Sequence, residues 1–325
     1  MAQGILVIAE HRDGQLKGMV KEALSCATTL RSAVGGDIHA VVLGADVAAL
    51  ATELAAAGAD KVWTIQDPKL AQYTPEAYIA ALQSLVDQLQ PKLVLTGHSY
   101  QGIDFFPRLA ASLDAALFPD VTAIESDDRG LVFTRKVING KLDARCRPTG
   151  HTLSLASLQQ GAFQAGSTSV SGSVESFAVD LLGIEPRNVV EIKAADKGEV
   201  DLSSADVIVA GGRGLADKDK FKLIFQLAEA LGAAVGASRP PCDSEWTEHE
   251  RQIGSSGQVV APKLYIAVGI SGAIQHVVGM RGSQCVVAIN KDPNAAIFQE
   301  ASYGLVGDLF EIVPALIAAV NEAKS

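Results

Sequence analysis

The feature that most limits what this chain can fold into is a rhythm that occurs twice. A short run of β-branched residues is followed by an Ala- and Leu-rich amphipathic stretch, and the pair repeats. In the first half Ile5 to Ile8 leads to Gly18 to Arg31, and Ile38 to Leu43, Lys61 to Ile65 and Leu93 to Thr96 read as further strands. Helices are predicted near Val47 to Ala57, Pro75 to Leu89 and Phe105 to Leu113. Apolar runs of four to six residues are too short for helices, whereas the stretches between them carry the helical period. The alternation predicts βαβ units and a mostly parallel sheet.

At 325 residues the chain exceeds one ordinary core, and a domain size of about 100 to 200 residues predicts two α/β domains. The boundary is placed so that residues 1–194 form the first domain and 195–325 the second, with polar Ala194 to Ser204 as linker. Late in the first domain the character changes. Gly130 to Val137 and Lys141 to Cys146 flank Asn139-Gly140, a type I′ hairpin signal, which predicts an antiparallel appendage. Gln159 to Ser173 has few large apolar residues and reads as a loop, and Glu175 to Lys193 alternates like an edge strand. The second series has strands near Asp206 to Ala210, Ala233 to Gly236, Lys263 to Gly269 and Cys285 to Asn290. Its helices are predicted near Asp219 to Leu231, Ser271 to Gly279 and Asp308 to Asn321. The expected fold is an N-terminal parallel sheet with an antiparallel appendage and a C-terminal doubly wound parallel sheet.

Composition narrows the function. A formal net charge of -10 argues against nucleic acid, whose binding draws on clustered Lys and Arg. No apolar segment reaches the roughly 18 residues of a bilayer span, so membrane insertion is not expected. The N-terminus runs directly into a strand, which suits a cytoplasmic protein or a trimmed organellar one. Cys26, Cys146, Cys242 and Cys285 are widely spaced, and no histidine pair has metal-ligand spacing, so no metal site is expected. A nucleophilic triad is also unsupported, because G-x-S-x-G is missing and His98 has no evident partner.

Four turns in the second half place Gly, Ser, Arg or Asn between a strand and a helix, where free backbone N–H groups and the helix dipole favour anions. They are Ala210-Gly211-Gly212-Arg213-Gly214, Gly236-Ala237-Ser238-Arg239-Pro240, Gly269 to His276 and Asn290-Lys291-Asp292-Pro293. In the third, Ser271 is placed to cap the following helix. Each alone is ordinary βα punctuation. Together they point to a large anionic dinucleotide, although none matches the P-loop or the strict G-x-G-x-x-G pattern.

The run PKLYIAVGISGAIQH at Pro262 to His276, followed by VVGM, resembles the electron transfer flavoprotein alpha subunit family. GGRGL from Gly211, VGASRP from Val235, VAINKDPNAAIF from Val287 and YGLVGDLFEIVPAL from Tyr303 are similar to the same family, in its order. In the first half LVIAEH from Leu6 and TGHSYQGIDFFPRLAASLD from Thr96 carry a weaker likeness. The resemblance implies a nucleotide-hydrolase-like N-terminal domain that braces a beta subunit, and a C-terminal domain that binds FAD. It implies an electron carrier rather than a substrate-converting enzyme. Electrons would pass from dehydrogenases, such as those for acyl-CoA, to a membrane ubiquinone oxidoreductase, and the beta subunit would hold AMP. The resemblance further implies that Arg213, Ser238 and Ser271 serve the phosphate and ribityl region, that Asn290 and Asp308 hold the adenosine end, and that Leu309 also binds the cofactor. Gln275 and His276 would approach the flavin, His276 at its pyrimidine edge, with Arg239 placing positive charge near the ring, and Gly272, Ala273 and Ile274 would also bind the cofactor. Where the family has a Gln-Thr-Gly loop against the flavin, this chain has Ser255-Ser256-Gly257 after Ile253-Gly254, so Ser256 keeps the hydroxyl and Ser255 loses the amide. Two rivals use the same fold classes: an NAD- or thiamine-diphosphate-linked enzyme, and an adenine-nucleotide sensor acting through the Gly97 to Gly102 turn.

Overall fold

A computed structural model of the protein describes residues 4–138, 140–166, 172–185, 187, 189–191, 202 and 205–324. The chain divides into two compact units, Met1–Ile192 and Lys193–Ser325. The expected linker, Ala194 to Ser204, lies outside the described residues except for Leu202, which is fully buried.

The N-terminal unit begins with β1 (Ile5–Ala9), a small hairpin of β2 (His11–Arg12) and β3 (Gln15–Leu16), and α1 (Gly18–Val34). There follow β4 (Ile38–Gly44), α2 (Ala48–Ala56), β5 (Lys61–Gln66), α3 (Pro75–Leu89), β6 (Leu93–Gly97) and α4 (Tyr100–Ser112). The unit closes with β7 (Ala116–Asp127), β8 (Gly130–Val137), β9 (Leu142–Cys146), β10 (Ser154–Leu158) and β11 (Ser173–Ser176). Among the described residues the sheet order is β11-β5-β4-β1-β6-β10-β7-β8-β9. Pairing is parallel from β11 to β7 and antiparallel in β7-β8-β9, which is the predicted appendage. Each apolar strand serves two cores: Val7 and Val42 pack with α1 and α2 on one face, Leu6 and Val41 with α3 and α4 on the other.

The C-terminal unit contains β12 (Val207–Gly211), α5 (Lys218–Leu231), β13 (Ala234–Ala237), α6 (Arg239–Asp243), β14 (Leu264–Val268) and α7 (Ile274–Met280). It ends with β15 (Cys285–Asn290), β16 (Tyr303–Val306) and α8 (Leu309–Lys324). The sheet is wholly parallel in the order β13-β12-β14-β15-β16. Counted within the unit, that is second, first, third, fourth, fifth, a doubly wound order that reverses direction between β12 and β14. In α5 the Asp217 carboxylate accepts from the Lys220 N–H at 2.9 Å, Phe221, Ile224, Leu227 and Ala228 form the buried stripe, and Gly232 ends the helix at φ 69°.

Several expectations need correction. Central strand β10 is absent from the sequence reading, because SLASL carries two serines, yet all five residues are buried. Strand β11 begins at Ser173, within the expected loop, and only Glu175 and Ser176 of the expected edge strand from Glu175 to Lys193 belong to it, paired with β5; the rest of that strand's described length is irregular. Helix α4 starts at Tyr100, since Ser99 caps it by accepting from the Gly102 N–H at 2.9 Å. Helix α7 starts at Ile274, with Ala273 in the cap position and no side-chain cap, so Ser271 caps nothing. Gly272 sits at φ 85°, a left-handed conformation that keeps residues 271 and 272 out of the helix. Of the hairpin pair, Asn139 lies outside the described residues; Gly140 takes φ 77° and the Lys141 N–H reaches the Ile138 carbonyl at 3.2 Å.

Candidate functional site

Open parallel sheets bind ligands outside the carboxyl ends of their strands, where the winding reverses. In the C-terminal unit that point lies between the turns after β12 and β14. These turns are in backbone contact: the Gly212 N–H donates to Val268 at 2.8 Å and the Gly214 N–H to Gly269 at 3.0 Å. A methyl group on Gly212 would lie 2.2 Å from the Gly269 oxygen, so only glycine allows this approach. The side chain of the intervening Arg213 is exposed and makes no ion pair among the described residues. Across the crevice, the N–H groups of Ser271, Gly272 and Ala273 have no backbone partner among the described residues. A Cβ on Gly272 would meet the Ile297 nitrogen at 2.1 Å, which fixes this turn against the segment after β15.

The same edge gathers most of the predicted residues. Ser238 follows β13, is buried, and its N–H donates to Gly211 at 3.0 Å; its hydroxyl does not cap α6. Asn290 bridges turns, its amide donating to the Ile270 carbonyl at 2.9 Å and accepting from the Asp292 N–H at 3.0 Å. The Asn290 carbonyl accepts from the Gly307 N–H at 3.1 Å, and the Asp308 carboxylate accepts from the Phe310 N–H at 2.8 Å. Arg239 is exposed and already paired with Asp243 at 3.1 Å, so part of its charge is compensated within α6. The side chains of Ile253 and Leu309 belong to the core, which leaves only their backbones to face a ligand.

Loop 252–257 packs against the start of α7. The Ser255 N–H donates to the Gln275 carbonyl at 2.7 Å, and a Cβ on Gly254 would lie 2.6 Å from the same oxygen. Ser255, Ser256 and Gln275 are exposed on this side, and Ile274 is half-buried. His276 turns the other way. Its ring is buried, with Nδ1 3.0 Å from the Ile253 carbonyl and Nε2 3.0 Å from the hydroxyl of fully buried Tyr265. A carbonyl only accepts, so Nδ1 carries the proton and Nε2 accepts from Tyr265. Burial pushes the imidazole down to about 4, so the ring is neutral at pH 7. Both nitrogens are engaged inside the protein, and the expected direct bond from His276 to a flavin edge does not fit this geometry. Tyr265 and Gln252 escaped the sequence reading. The one signal for Tyr265 was a lone hydroxyl in the apolar run LYIAV; Gln252 differs in no local way from other surface-loop glutamines.

The corresponding point in the N-terminal unit lies between β1 and β6. There the Ser99 hydroxyl donates to the Glu10 carboxylate, and His98 Nδ1 lies 2.9 Å from the Ser157 hydroxyl. A Cβ on Gly97 would strike Met19 at 2.8 Å. At the turn where the rival sensor reading would seat a phosphate, Ser99 and Glu10 are engaged with each other, beside a cavity of only about 70 Å³ lined by His98, Gly102 and Ser157.

Known proteins match both units of the chain. Residues 5–182 match the model of the electron transfer flavoprotein domain, and residues 201–281 match the electron transfer flavoprotein FAD-binding domain. The electron transfer flavoprotein subunit alpha of Bacillus subtilis is 44% identical over 320 residues, covering 97% of each chain. That of Thermoanaerobacterium thermosaccharolyticum is 38% identical over 98% of each chain. A probable mitochondrial electron transfer flavoprotein subunit alpha of Caenorhabditis elegans is 37% identical over 97% of this chain and 93% of its own. With matches that run through both units and nearly the full length of these relatives, the chain belongs to the electron transfer flavoprotein alpha-subunit family.

Proposed function

We propose that this chain is one subunit of a heterodimeric electron carrier and that its C-terminal unit, residues 195–325, holds FAD along the carboxyl edge of β12, β14 and β15. The observation that carries the reading is the donor set at the reversal point: among the described residues, one guanidinium without an ion pair, three backbone N–H groups without backbone partners, and glycines that leave the backbone uncovered. Such a set suits a pyrophosphate. When bound, FAD would supply the redox chemistry. Arg213, with the hydroxyls of Ser238 and Ser271, would bind the phosphate and ribityl part. Asn290, Asp308 and the Leu309 backbone would hold the adenosine end. The loop Ile253-Gly254-Ser255-Ser256-Gly257 and the turn Gly272-Ala273-Ile274-Gln275 would frame the ring. His276 enters as the residue that holds the Ile253 carbonyl, and through it the loop, rather than as a direct donor. Arg239 would add positive charge at the rim.

Residues 1–194 would brace the second subunit, which in this reading holds AMP. The donors would be dehydrogenases such as those for acyl-CoA, and the acceptor a membrane quinone oxidoreductase. Among the described residues no helix is long and apolar enough to cross a membrane. The compartment would be the cytoplasm of a bacterium or the matrix of a mitochondrion. The absorption spectrum of the chain co-purified with its second subunit tests the proposal. The expected result is a flavin spectrum at one FAD per heterodimer, and a colourless complex that takes up NAD or ATP instead would overturn it.

A further inference from the structure

We infer that Gln252 is a positioning residue that makes the Ser256 hydroxyl an obligate donor toward an acceptor atom of the flavin ring, an inference that rests on the FAD reading above. Gln252 is buried, and its backbone is fixed on both sides: its N–H donates to His249 at 2.9 Å and its carbonyl accepts from Gln258 at 2.8 Å. Gly257 closes over it, since a Cβ there would lie 2.3 Å from the Gln252 oxygen. The Gln252 amide nitrogen Nε2 stands 3.2 Å from the Ser256 carbonyl and 3.0 Å from the Ser256 hydroxyl oxygen. A carbonyl oxygen only accepts, so the amide face turned toward it must be the NH2 group, which settles the orientation of the side chain. The same nitrogen then donates to the hydroxyl oxygen. A hydroxyl has one proton and two acceptor positions, so the Ser256 proton cannot point back at Gln252 and is directed away from it. Ser256 is exposed, on a loop anchored to α7 through the Ser255 N–H. A donor held in that sense favours the electron-rich, reduced ring over the oxidised one and needs no reorientation when the ring gains charge.

The test is a redox titration, with visible band positions recorded alongside, of the FAD-loaded heterodimer in a double-mutant cycle. Ser256→Ala is expected to lower the preference for reduced over oxidised flavin about tenfold, which for a two-electron couple is about 30 mV. Gln252→Ala leaves the hydroxyl free to rotate and still donate, so about threefold is lost. Gln252→Glu offers a carboxylate that takes the Ser256 proton, and its loss should equal or exceed that of Ser256→Ala. The loss caused by either Gln252 variant should shrink in the Ser256→Ala background. Equal losses in both backgrounds would make Gln252 a brace for the loop and overturn the inference, as would a larger loss for Gln252→Ala than for Gln252→Glu. If Gln252→Glu does not fold, the Gln252→Ala cycle decides by the same criterion. A colourless wild-type complex would remove the FAD reading and this inference together, whereas a yellow complex with additive losses removes only the inference.

Discussion

In the N-terminal unit the turns after β1 and β6 are stitched together by their own side chains, Ser99 to Glu10 and His98 to Ser157, with Met19 packed against Gly97. In the C-terminal unit the turns after β12 and β14 meet through glycine backbones and leave Arg213 unpaired among the described residues. Both sheets are parallel at this point and both reverse their winding there. The difference shows that the position of a crevice is a property of topology, whereas its use is a property of what fills it. At the head of α4 the Ser99 hydroxyl caps the Gly102 N–H and is itself bonded to Glu10, so the chain's own groups are paired there.

The largest effect that could break this comparison lies in the glycines. Gly272→Ala brings a Cβ to 2.1 Å from a backbone nitrogen at φ 85°, and overpacking with left-handed strain should cost the C-terminal unit about 3 to 4 kcal/mol. Gly150→Ala in the N-terminal unit is also left-handed, at φ 78°, but meets nothing within 4 Å, and should cost about 1 kcal/mol. Urea midpoints measure both; equal shifts would mean that the turn at Gly272 is loose and not a built site.

Two buried groups, one in each unit, should contribute to stability with opposite pH dependence. His276 titrates near 4 in the folded chain because burial disfavours its charge, against an ordinary value of 6.5. Between those values the unfolded chain binds the extra proton, so C-terminal stability is lost as pH falls from about 6.5 to 4, by about 3 kcal/mol at most. Glu22 is raised from 4.5 to about 7 by burial, against the Gly161 N–H that it accepts at 2.9 Å. Here the folded chain holds the extra proton, so the contribution of Glu22 to N-terminal stability is lost as pH rises from about 4.5 to 7, while burial of His39 and His98, which lowers both pKa values, acts in the opposite sense. Hydrogen exchange of the Tyr265 amide follows His276, and that of the Leu24 amide at pH 4.5 and 7, compared between the wild type and Glu22→Gln, isolates the Glu22 contribution; an identical pH dependence of Leu24 in the two proteins would contradict the buried carboxyl.

A smaller effect sharpens the functional side. Arg213→Ala should weaken FAD binding by about 1.5 to 3 kcal/mol, roughly ten- to hundredfold in Kd, as for a hydrogen bond to a charged group. Glu10→Gln, at the filled edge, should leave FAD affinity unchanged. Isothermal titration of the apoprotein complex with FAD reads both values.

The sequence was most legible where one physical signal acted alone. The apolar run of Ile38 to Leu43 and the helical period of Pro75 to Leu89 placed β4 and α3 almost to the residue, because β4 is buried on both faces and α3 along one stripe. Strand β10 was hidden because Ser154 and Ser157 are polar in sequence, yet both are buried, Ser157 through its bonds to His98 and the Asp120 N–H. The glycine and serine turns of the candidate site were visible from strand-to-helix punctuation. The direction in which a side chain points was not, since Tyr265, eleven residues before His276, determines that the imidazole faces inward.

The central claim is that the open edge takes the dinucleotide and the filled edge does not. Amide hydrogen exchange of the apo and FAD-loaded heterodimer measures this directly. The account predicts that FAD slows exchange at residues 212–214, 254–257 and 270–275 and leaves residues 98–102 unchanged. Protection at 98–102 with none along 270–275 would contradict it.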